Sequence, residues 1–240
     1  MTNTLLRISG LKKSFRKSLI FDNVSFEVNE KEILGIVGLS GSGKTTLLNM
    51  VAGFEIPDAG KIQFQDIYGK KELKSIYKFR GKHKLLFGYS SQEPSFYPEL
   101  SVQDNLFYFG VLSGFTRDDI LKRMDGLLRT LNLEEFHEMI AGNLSEGMKK
   151  RLDLACALIT EPKILLLDEP TANLDYYLRD DLLSIIKKVN RMGVTVIFVS
   201  HYLEEIEQIC SRALVIKEHG IMELETKNLK ENFMKVFKKK

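Results

Sequence analysis

The sequence predicts an α/β protein with an antiparallel β flank and an inserted α-helical subdomain. Three features support this fold class. Four runs are apolar at nearly every position, without alternation, as in parallel strands that are covered on both faces. Helical patterns lie between these runs, and a third group of segments alternates apolar with polar residues. The four apolar runs are ILGIV (33–37), LLFGY (85–89), ILLLD (164–168) and VTVIFVS (194–200).

Three segments are predicted to form an antiparallel flank that has one solvated face. Their alternating pattern is typical of a sheet that packs on one side only. Helices are predicted where apolar residues recur three or four positions apart. The flank segments are LLRISGL (5–11), LIFDNVSFEV (19–28) and KIQFQ (61–65), and the helices cover 44–52, 178–192 and 202–210.

Between residues 101 and 160 the strand patterns stop and several helical patterns follow one another. We therefore predict one α/β lobe in two sequence pieces, about 1–92 and 161–225, with a helical lobe, about 93–160, inserted between them. The tail, 226–240, has apolar residues on one helical face and lysines elsewhere. It is expected either to pack on the core or to touch anionic lipid.

The composition is that of an ordinary globular protein. Of 240 residues, 44% are hydrophobic and 28% are charged, and the net charge of +3 is too small to suggest a nucleic-acid partner. Cys156 and Cys210 form no CxxC pair, which favours a reducing compartment. No signal peptide or apolar run of about 18 residues is found, so a membrane role is expected to come through a partner or a surface contact.

The segment GLSGSGKT fits the phosphate-binding pattern G-x-x-x-x-G-K-[ST], and it stands between a predicted strand and a predicted helix. Glycine lets the backbone turn successive N–H groups inward onto phosphate oxygens. The lysine supplies a full charge for the outer phosphates, and the last threonine hydroxyl is placed to ligate Mg²⁺. The residues expected at the nucleotide are Gly38, Ser40, Gly41, Ser42, Gly43, Lys44, Thr45 and Thr46.

Four further polar side chains follow predicted strands. Asp168 ends the ILLLD strand, where it is expected to hold Mg²⁺, and Glu169 comes next, where it is expected to orient or deprotonate the attacking water. His201 and Gln92 follow two other strands, and Gln92 is a candidate for the metal or the water. A residue such as either of these two, taken alone, is more often an ordinary loop residue than a ligand. Ligands bind outside the carboxyl ends of parallel strands, which favours one shared site.

Taken together, these motifs resemble those of the ATP-binding cassette (ABC) ATPases over essentially the whole chain. GLSGSGKT resembles their Walker A motif, ILLLDEP their Walker B motif, Gln92 their Q-loop residue, and His201 their switch histidine. Residues 172–175, which end at Asp175, resemble the D-loop. The resemblance implies an ABC ATPase fold with a P-loop core, a RecA-like α/β lobe, and ATP and Mg²⁺ as ligands.

The segment LSEGM (144–148) resembles the family's signature motif, which is usually LSGGQ. In this family that helix start contacts ATP held by the other cassette of a head-to-tail dimer. The resemblance therefore implies that Ser145 and Gly147 complete a site on a partner subunit, and Ser145 is expected to cap the helix. Glu146 departs from the pattern because a carboxylate repels phosphate, so it is expected to point away or to slow closure.

Adenine in this family stacks on an aromatic residue shortly after the first strand. Phe15 matches that position, where a phenylalanine serves either as the platform or as a packing residue.

The function implied is an ATP-hydrolysing subunit that drives a separate membrane permease, since GMKKRL (147–152) is similar to drug-resistance exporter cassettes. Expected partners are a second cassette, identical or not, and an integral membrane permease, at the cytoplasmic face of the membrane. A soluble ABC ATPase of the cofactor-assembly type remains the alternative.

Overall fold

The computed structural model describes residues 3–65, 73–77 and 86–238. These residues fall into two compact units. The first comprises Met1–Lys84 and Thr195–Lys240, and the second comprises Leu85–Val194. The lobe boundaries at 92, 160 and 225 stay predictions. Within the described ranges, no helix is both long enough and apolar enough to cross a bilayer.

The two units contain both strands and helices, in the following order along the chain. The first unit contains β1 (Thr4–Phe15), β2 (Ser18–Asn29), β3 (Ile33–Gly38), α1 (Lys44–Ala52), β4 (Ala59–Gln65) and β5 (Leu73–Ser75). The second contains β6 (Phe87–Ser90), α2 (Val102–Leu112), α3 (Arg117–Thr130), α4 (Glu146–Leu158), β7 (Ile164–Asp168) and α5 (Tyr176–Arg191). The chain then completes the first unit with β8 (Thr195–Val199), α6 (Leu203–Ile209), β9 (Arg212–Lys217), β10 (Gly220–Leu224) and α7 (Leu229–Lys238).

The predicted antiparallel flank is confirmed in the first unit. Its strands lie in the order β2-β1-β4-β5, and every neighbouring pair is antiparallel. Leu6, Ile8 and Leu11 of β1 are buried, whereas Arg7 points to the other face, where its guanidinium Nε lies 2.6 Å from the Glu27 carboxylate. The alternation in the sequence therefore reports one packed face and one wet face.

Parallel pairing places the ends of β3 and β8 at one sheet edge of the first unit. β3 pairs in parallel with β8 and with β9, with Ile36 opposite Val199. Every residue of β3 and β8 is buried, which explains the uninterrupted apolar runs. The β9–β10 hairpin was not predicted. Its turn residues Glu218 and His219 adopt φ of 49° and 67°, without the Gly or Asn that normally signals such a turn.

In the second unit, β6 and β7 are parallel neighbours, with Ser90 opposite Leu167. β6 begins at Phe87, whereas the predicted strand began at Leu85, which lies outside the described residues. The helical block predicted between 101 and 160 is confirmed as α2, α3 and α4 with two short 3₁₀ turns. Its only strand-like pairing among the described residues is one isolated bridge between Ser101 and Ile140.

The tail forms α7 and packs on its own unit, which is the first of the two predicted alternatives. Leu229 is fully buried, and the Lys217 ammonium donates to the Val236 carbonyl at 2.8 Å. The Phe233 and Phe237 rings lie 4.5 Å apart between centroids. The helical face that was predicted to be apolar is therefore the face that packs; Lys239 and Lys240 lie outside the described residues.

Two glycines of the second unit predict opposite effects of the same substitution. A Cβ at Gly88 in β6 would clash with the Ala157 carbonyl oxygen of α4, whereas a Cβ at Gly126 in α3 meets nothing within 4 Å. Gly88→Ala should therefore destabilise the fold by about 1–3 kcal/mol through overpacking. Gly126→Ala should stabilise it by about 0.5–1 kcal/mol through helix propensity.

Denaturant midpoints of the two variants, measured against the wild-type chain, check both signs. Equal shifts in the same direction would contradict the close approach of α4 to β6.

Candidate nucleotide-binding site

The loop between β3 and α1 contains two glycines with left-handed backbone, followed by a helix start without a side-chain cap. Gly41 and Gly43 adopt φ of 75° and 100°, the left-handed region that glycine enters without a steric penalty. A Cβ at Gly43 would lie 2.6 Å from a methyl of Ile20 and 2.9 Å from the Phe21 ring. Helix α1 has no side-chain cap and no acidic residue in its first turn, so nothing on this helix offsets its positive end.

Two side chains of this loop are held where phosphate oxygens could accept their hydrogen bonds. Lys44 is buried, and its ammonium donates to the carbonyls of Gly38 and Leu39 at 3.1 and 3.3 Å. The Ser42 hydroxyl is also buried and has no hydrogen-bond partner among the described residues. Ser40 and Thr45 are exposed, and Thr46 is half-buried. The loop thus presents one cation and several hydroxyl donors.

Phe15 stands at the end of β1, at the turn into β2, and 44% of it is exposed. The Lys13 ammonium lies 4.8 Å from the centroid of its ring. Lys13 itself is buried and bonded to the Glu55 carboxylate and the Ile56 carbonyl. This exposure is compatible with an aromatic platform, and the role of Phe15 in stacking stays a prediction.

His201 follows β8 in the first unit and lies at the same sheet edge as the phosphate-binding loop, because β8 and β3 run in parallel. The residue is exposed, and its ring centroid lies 3.9 Å from that of Tyr202. The preceding Ser200 is buried; its hydroxyl donates to Glu205 at 2.6 Å and accepts from the Tyr202 N–H at 3.0 Å. These bonds fix the turn that presents the histidine.

The second unit brings Asp168, Glu169 and Gln92 to the shared edge of β6 and β7. Asp168 is buried, whereas Glu169 is half-buried and has φ of 51°. Its carbonyl accepts from the Ala172 N–H at 3.0 Å, which closes a turn around this left-handed residue. Backbone strain of this kind concentrates at functional sites, where the surrounding structure holds it.

Tyr89 lies near Asp168, and it was not predicted from the sequence as a site residue. Burial, reinforced by the negative charge of Asp168, raises the pKa of the Tyr89 hydroxyl to about 12. The phenol therefore stays neutral at physiological pH beside the carboxylate. Its position in β6, one strand away from Asp168 in β7, is the signal that could have found it.

Ser145 caps α4 as predicted. Its hydroxyl accepts from the Met148 N–H at 3.4 Å. Gly147 is packed against α5, since a Cβ there would lie 2.8 Å from the Leu178 side chain. Asp175 caps α5 by accepting from the Leu178 N–H at 3.0 Å, so one leucine links the signature segment to the D-loop segment.

The Glu146 carboxylate accepts from the Lys149 ammonium at 2.9 Å, three residues further along α4. The glutamate side chain is 73% exposed and that of the lysine is 25% exposed. The negative charge in the signature segment is therefore paired within its own helix. The spacing of three residues was the available signal for this pair.

A scan of family models matches residues 21–172 to the model described as "ABC transporter". The chain belongs to the ABC transporter family. Like the ATP-binding proteins of that family, the cassette binds and hydrolyses ATP.

Named relatives cover most of the cassette. It is 33% identical over 224 residues to the linearmycin resistance ATP-binding protein LnrL of Bacillus subtilis (strain 168), spanning 93% of this chain and 70% of that protein. It is 35% identical over 228 residues to the spermidine/putrescine import ATP-binding protein PotA of Mesoplasma florum, spanning 94% of this chain and 63% of that protein.

A solved structure agrees with the fold. The structure of cbiO1 from Clostridium perfringens, part of the ABC transporter complex cbiONQ, superposes with a TM-score of 0.86 at 25% identity, covering 98% of this chain and 94% of that one. The predicted fold class, with its inserted helical subdomain, is thereby confirmed.

The pairing of Glu146 with Lys149 predicts a small effect of restoring the common signature residue. Glu146→Gly should leave the ATPase rate within a few-fold of wild type, because the removed charge is already paired and exposed. Steady-state phosphate release measures this rate, with Glu138→Gly as a control that removes an exposed carboxylate outside α4. A hundredfold rise in rate would show that Glu146 electrostatically handicaps the site.

Proposed function

We propose that this cassette is the ATP-hydrolysing subunit of an exporter, in which two cassettes close head to tail around two ATP molecules and drive a separate membrane permease. The observation that carries this proposal is the first turn of α4. Ser145 and Gly147 form a capped helix start of the type that binds phosphate, within the segment that resembles the family's signature. In such a dimer, that turn meets the nucleotide of the partner.

The surface beside the D-loop supports a subunit contact. Tyr176 and Tyr177 follow Asp175 directly, and they are 75% and 84% exposed. Their rings contact each other edge to face at 5.8 Å between centroids. Aromatic residues are enriched at protein interfaces, so two exposed tyrosines at this position fit a surface that becomes covered in the dimer.

The direction of transport is inferred from the sequence of helix α4, which begins within the signature segment. GMKKRL (147–152) resembles drug-resistance exporter cassettes, and one relative carries resistance in its name. An import protein is similar to the same degree, so overall identity does not separate the two directions. Neither relative's name favours the non-transport alternative.

In the proposed reaction the phosphate-binding loop holds the nucleotide through its backbone N–H groups, the Ser42 hydroxyl and the Lys44 ammonium. On arrival of a phosphate, Lys44 would exchange its two carbonyl acceptors for phosphate oxygens, which bear more negative charge. Glu169 orients the attacking water or accepts its proton, and His201 contacts the terminal phosphate. Phe15 offers a stacking surface to adenine.

The residues proposed for Mg²⁺ are Thr45, Gln92 and Asp168. Their hydroxyl, amide and carboxylate oxygens are the hard donors that this ion prefers, and a set of few protein ligands suits an ion that also binds phosphate and water. Bound Mg²⁺ would neutralise charge on the phosphate oxygens. The buried Asp168 would contribute the anionic ligand at the end of β7.

The role of Glu169 predicts a trapped dimer. Glu169→Gln should lower the ATPase rate by at least a hundredfold while ATP binding persists, so that ATP and Mg²⁺ convert the cassette from monomer to dimer. Size-exclusion chromatography with light scattering measures the dimer, and phosphate release measures the rate.

Glu161→Gln is the matched control, because Glu161 has the same φ of 51° and lies at the exposed end of an Arg123 ion pair. It should hydrolyse ATP like wild type. Wild-type turnover in Glu169→Gln would remove the role assigned to this residue.

The transport role is tested by affinity purification of the tagged cassette from detergent-solubilised native membranes. A multi-span membrane protein should be recovered in stoichiometric amount, because the permease is a structural subunit of the complex. Recovery from the cytosol only, alone or with other proteins, would overturn the exporter assignment and leave the ATPase assignment standing.

A further inference from the structure

Helix α4 holds the loop that carries Gln92. We name residues 91–96 the Gln92 loop. The Ser90 hydroxyl, just before the loop, donates to the Asp153 carboxylate. Near the far end of the loop, the Ser95 N–H donates to the other oxygen of that carboxylate at 2.7 Å. Between them, the Lys150 ammonium donates to the Gln92 carbonyl at 3.0 Å.

The two residues of α4, Asp153 and Lys150, are buried. Burying their charged groups costs free energy unless each group is hydrogen-bonded. Asp153 is 1% exposed and Lys150 is 9% exposed. Burial raises the pKa of the Asp153 carboxyl, and the hydrogen bonds from Ser90 and Ser95 and the charge of Lys150 oppose that rise. A buried carboxylate without partners costs several kcal/mol, so the hydrogen bonds from Ser90 and Ser95 stabilise the charged form of Asp153.

The same helix begins at the signature segment. Asp153 lies eight residues after Ser145, which is about 12 Å along an α-helix. A helix of this length moves as a unit, so a displacement of its first turn is transmitted to Lys150 and Asp153. Through their bonds, the displacement reaches both ends of the Gln92 loop.

We propose that Asp153 and Lys150 are positioning residues that clamp the Gln92 loop to helix α4. The clamp makes the placement of the Gln92 side chain depend on the helix whose first turn carries Ser145 and Gly147. When a phosphate binds at that turn, the helix then fixes the position of the Gln92 side chain, which is the proposed ligand of the metal or the water. This mechanism rests on the proposed function, whereas the clamp itself is a property of the second unit.

The clamp is tested first by amide hydrogen exchange on the full chain, without nucleotide. Asp153→Ala removes the acceptor of the Ser95 N–H, and Ser90→Ala removes one anchor while leaving the helix intact. Exchange in peptides covering 91–97 should rise at least tenfold in Asp153→Ala and at least threefold in Ser90→Ala.

Ser91→Ala is the matched control for Ser90→Ala, because the Ser91 hydroxyl donates to the Glu93 carbonyl within the loop and not to α4. Its effect on exchange should stay within twofold. Equal exchange in Ser90→Ala and Ser91→Ala would overturn the clamp, even if Asp153→Ala failed to fold.

The positioning role is tested by the Mg²⁺ dependence of ATP hydrolysis. Ser90→Ala and Lys150→Met should raise the Mg²⁺ concentration for half-maximal rate at least fivefold, while nucleotide affinity measured in EDTA stays within twofold. Asp153→Asn keeps an oxygen acceptor for the Ser95 N–H and should recover at least half of the Mg²⁺ response that Asp153→Ala loses.

The outcomes separate the two proposals. A wild-type chain that hydrolyses no ATP would contradict the proposed function, and the exchange experiment would still decide the clamp. Faster exchange with unchanged Mg²⁺ dependence in Ser90→Ala and Lys150→Met would overturn the positioning role, because the bonds would then serve folding alone.

Discussion

Parallel pairing of buried strands is the constraint on which the rest of the structure depends. In the first unit, β3 and β8 end together, so the phosphate-binding loop and His201 leave the same sheet edge. In the second unit, β6 and β7 end together, so Gln92 leaves at the edge where Asp168 and Glu169 stand. Strands buried on both faces carry few polar side chains along their length. Polar groups therefore collect where these strands end.

This constraint explains why much of the fold was predictable from the sequence. Double burial forces apolar residues at every position, which is a strong signal, and a glycine-rich loop between such a strand and a helix has few structural alternatives. The β9–β10 hairpin gave no comparable signal. Glu218 and His219 adopt left-handed conformations between the paired strands, although glutamate rarely enters that region.

The positions of single side chains were less predictable, because they depend on partners far apart in sequence. In the sequence, Asp153 is one of several charged residues on α4, and its partners Ser90 and Ser95 lie 63 and 58 residues away. No periodicity encodes such a pairing. The Glu146–Lys149 pair is different, since a separation of three residues on a helix is legible in the sequence once the helix is placed.

The two carboxylates of α4 show how burial decides which charge matters. Glu146 departs from the family's signature, but it is exposed and paired with Lys149, and pairs of this kind contribute about 0–1 kcal/mol because water screens them. Asp153 lies seven residues further along the same helix, is buried, and accepts hydrogen bonds from both sides of the Gln92 loop. Removing a partner from a buried charge costs about 3–5 kcal/mol, since the remaining charge cannot recover its hydration. The helix can therefore accept an unusual charge in its first turn, whereas its sensitivity to substitution is expected to be concentrated two turns later, where it holds the loop.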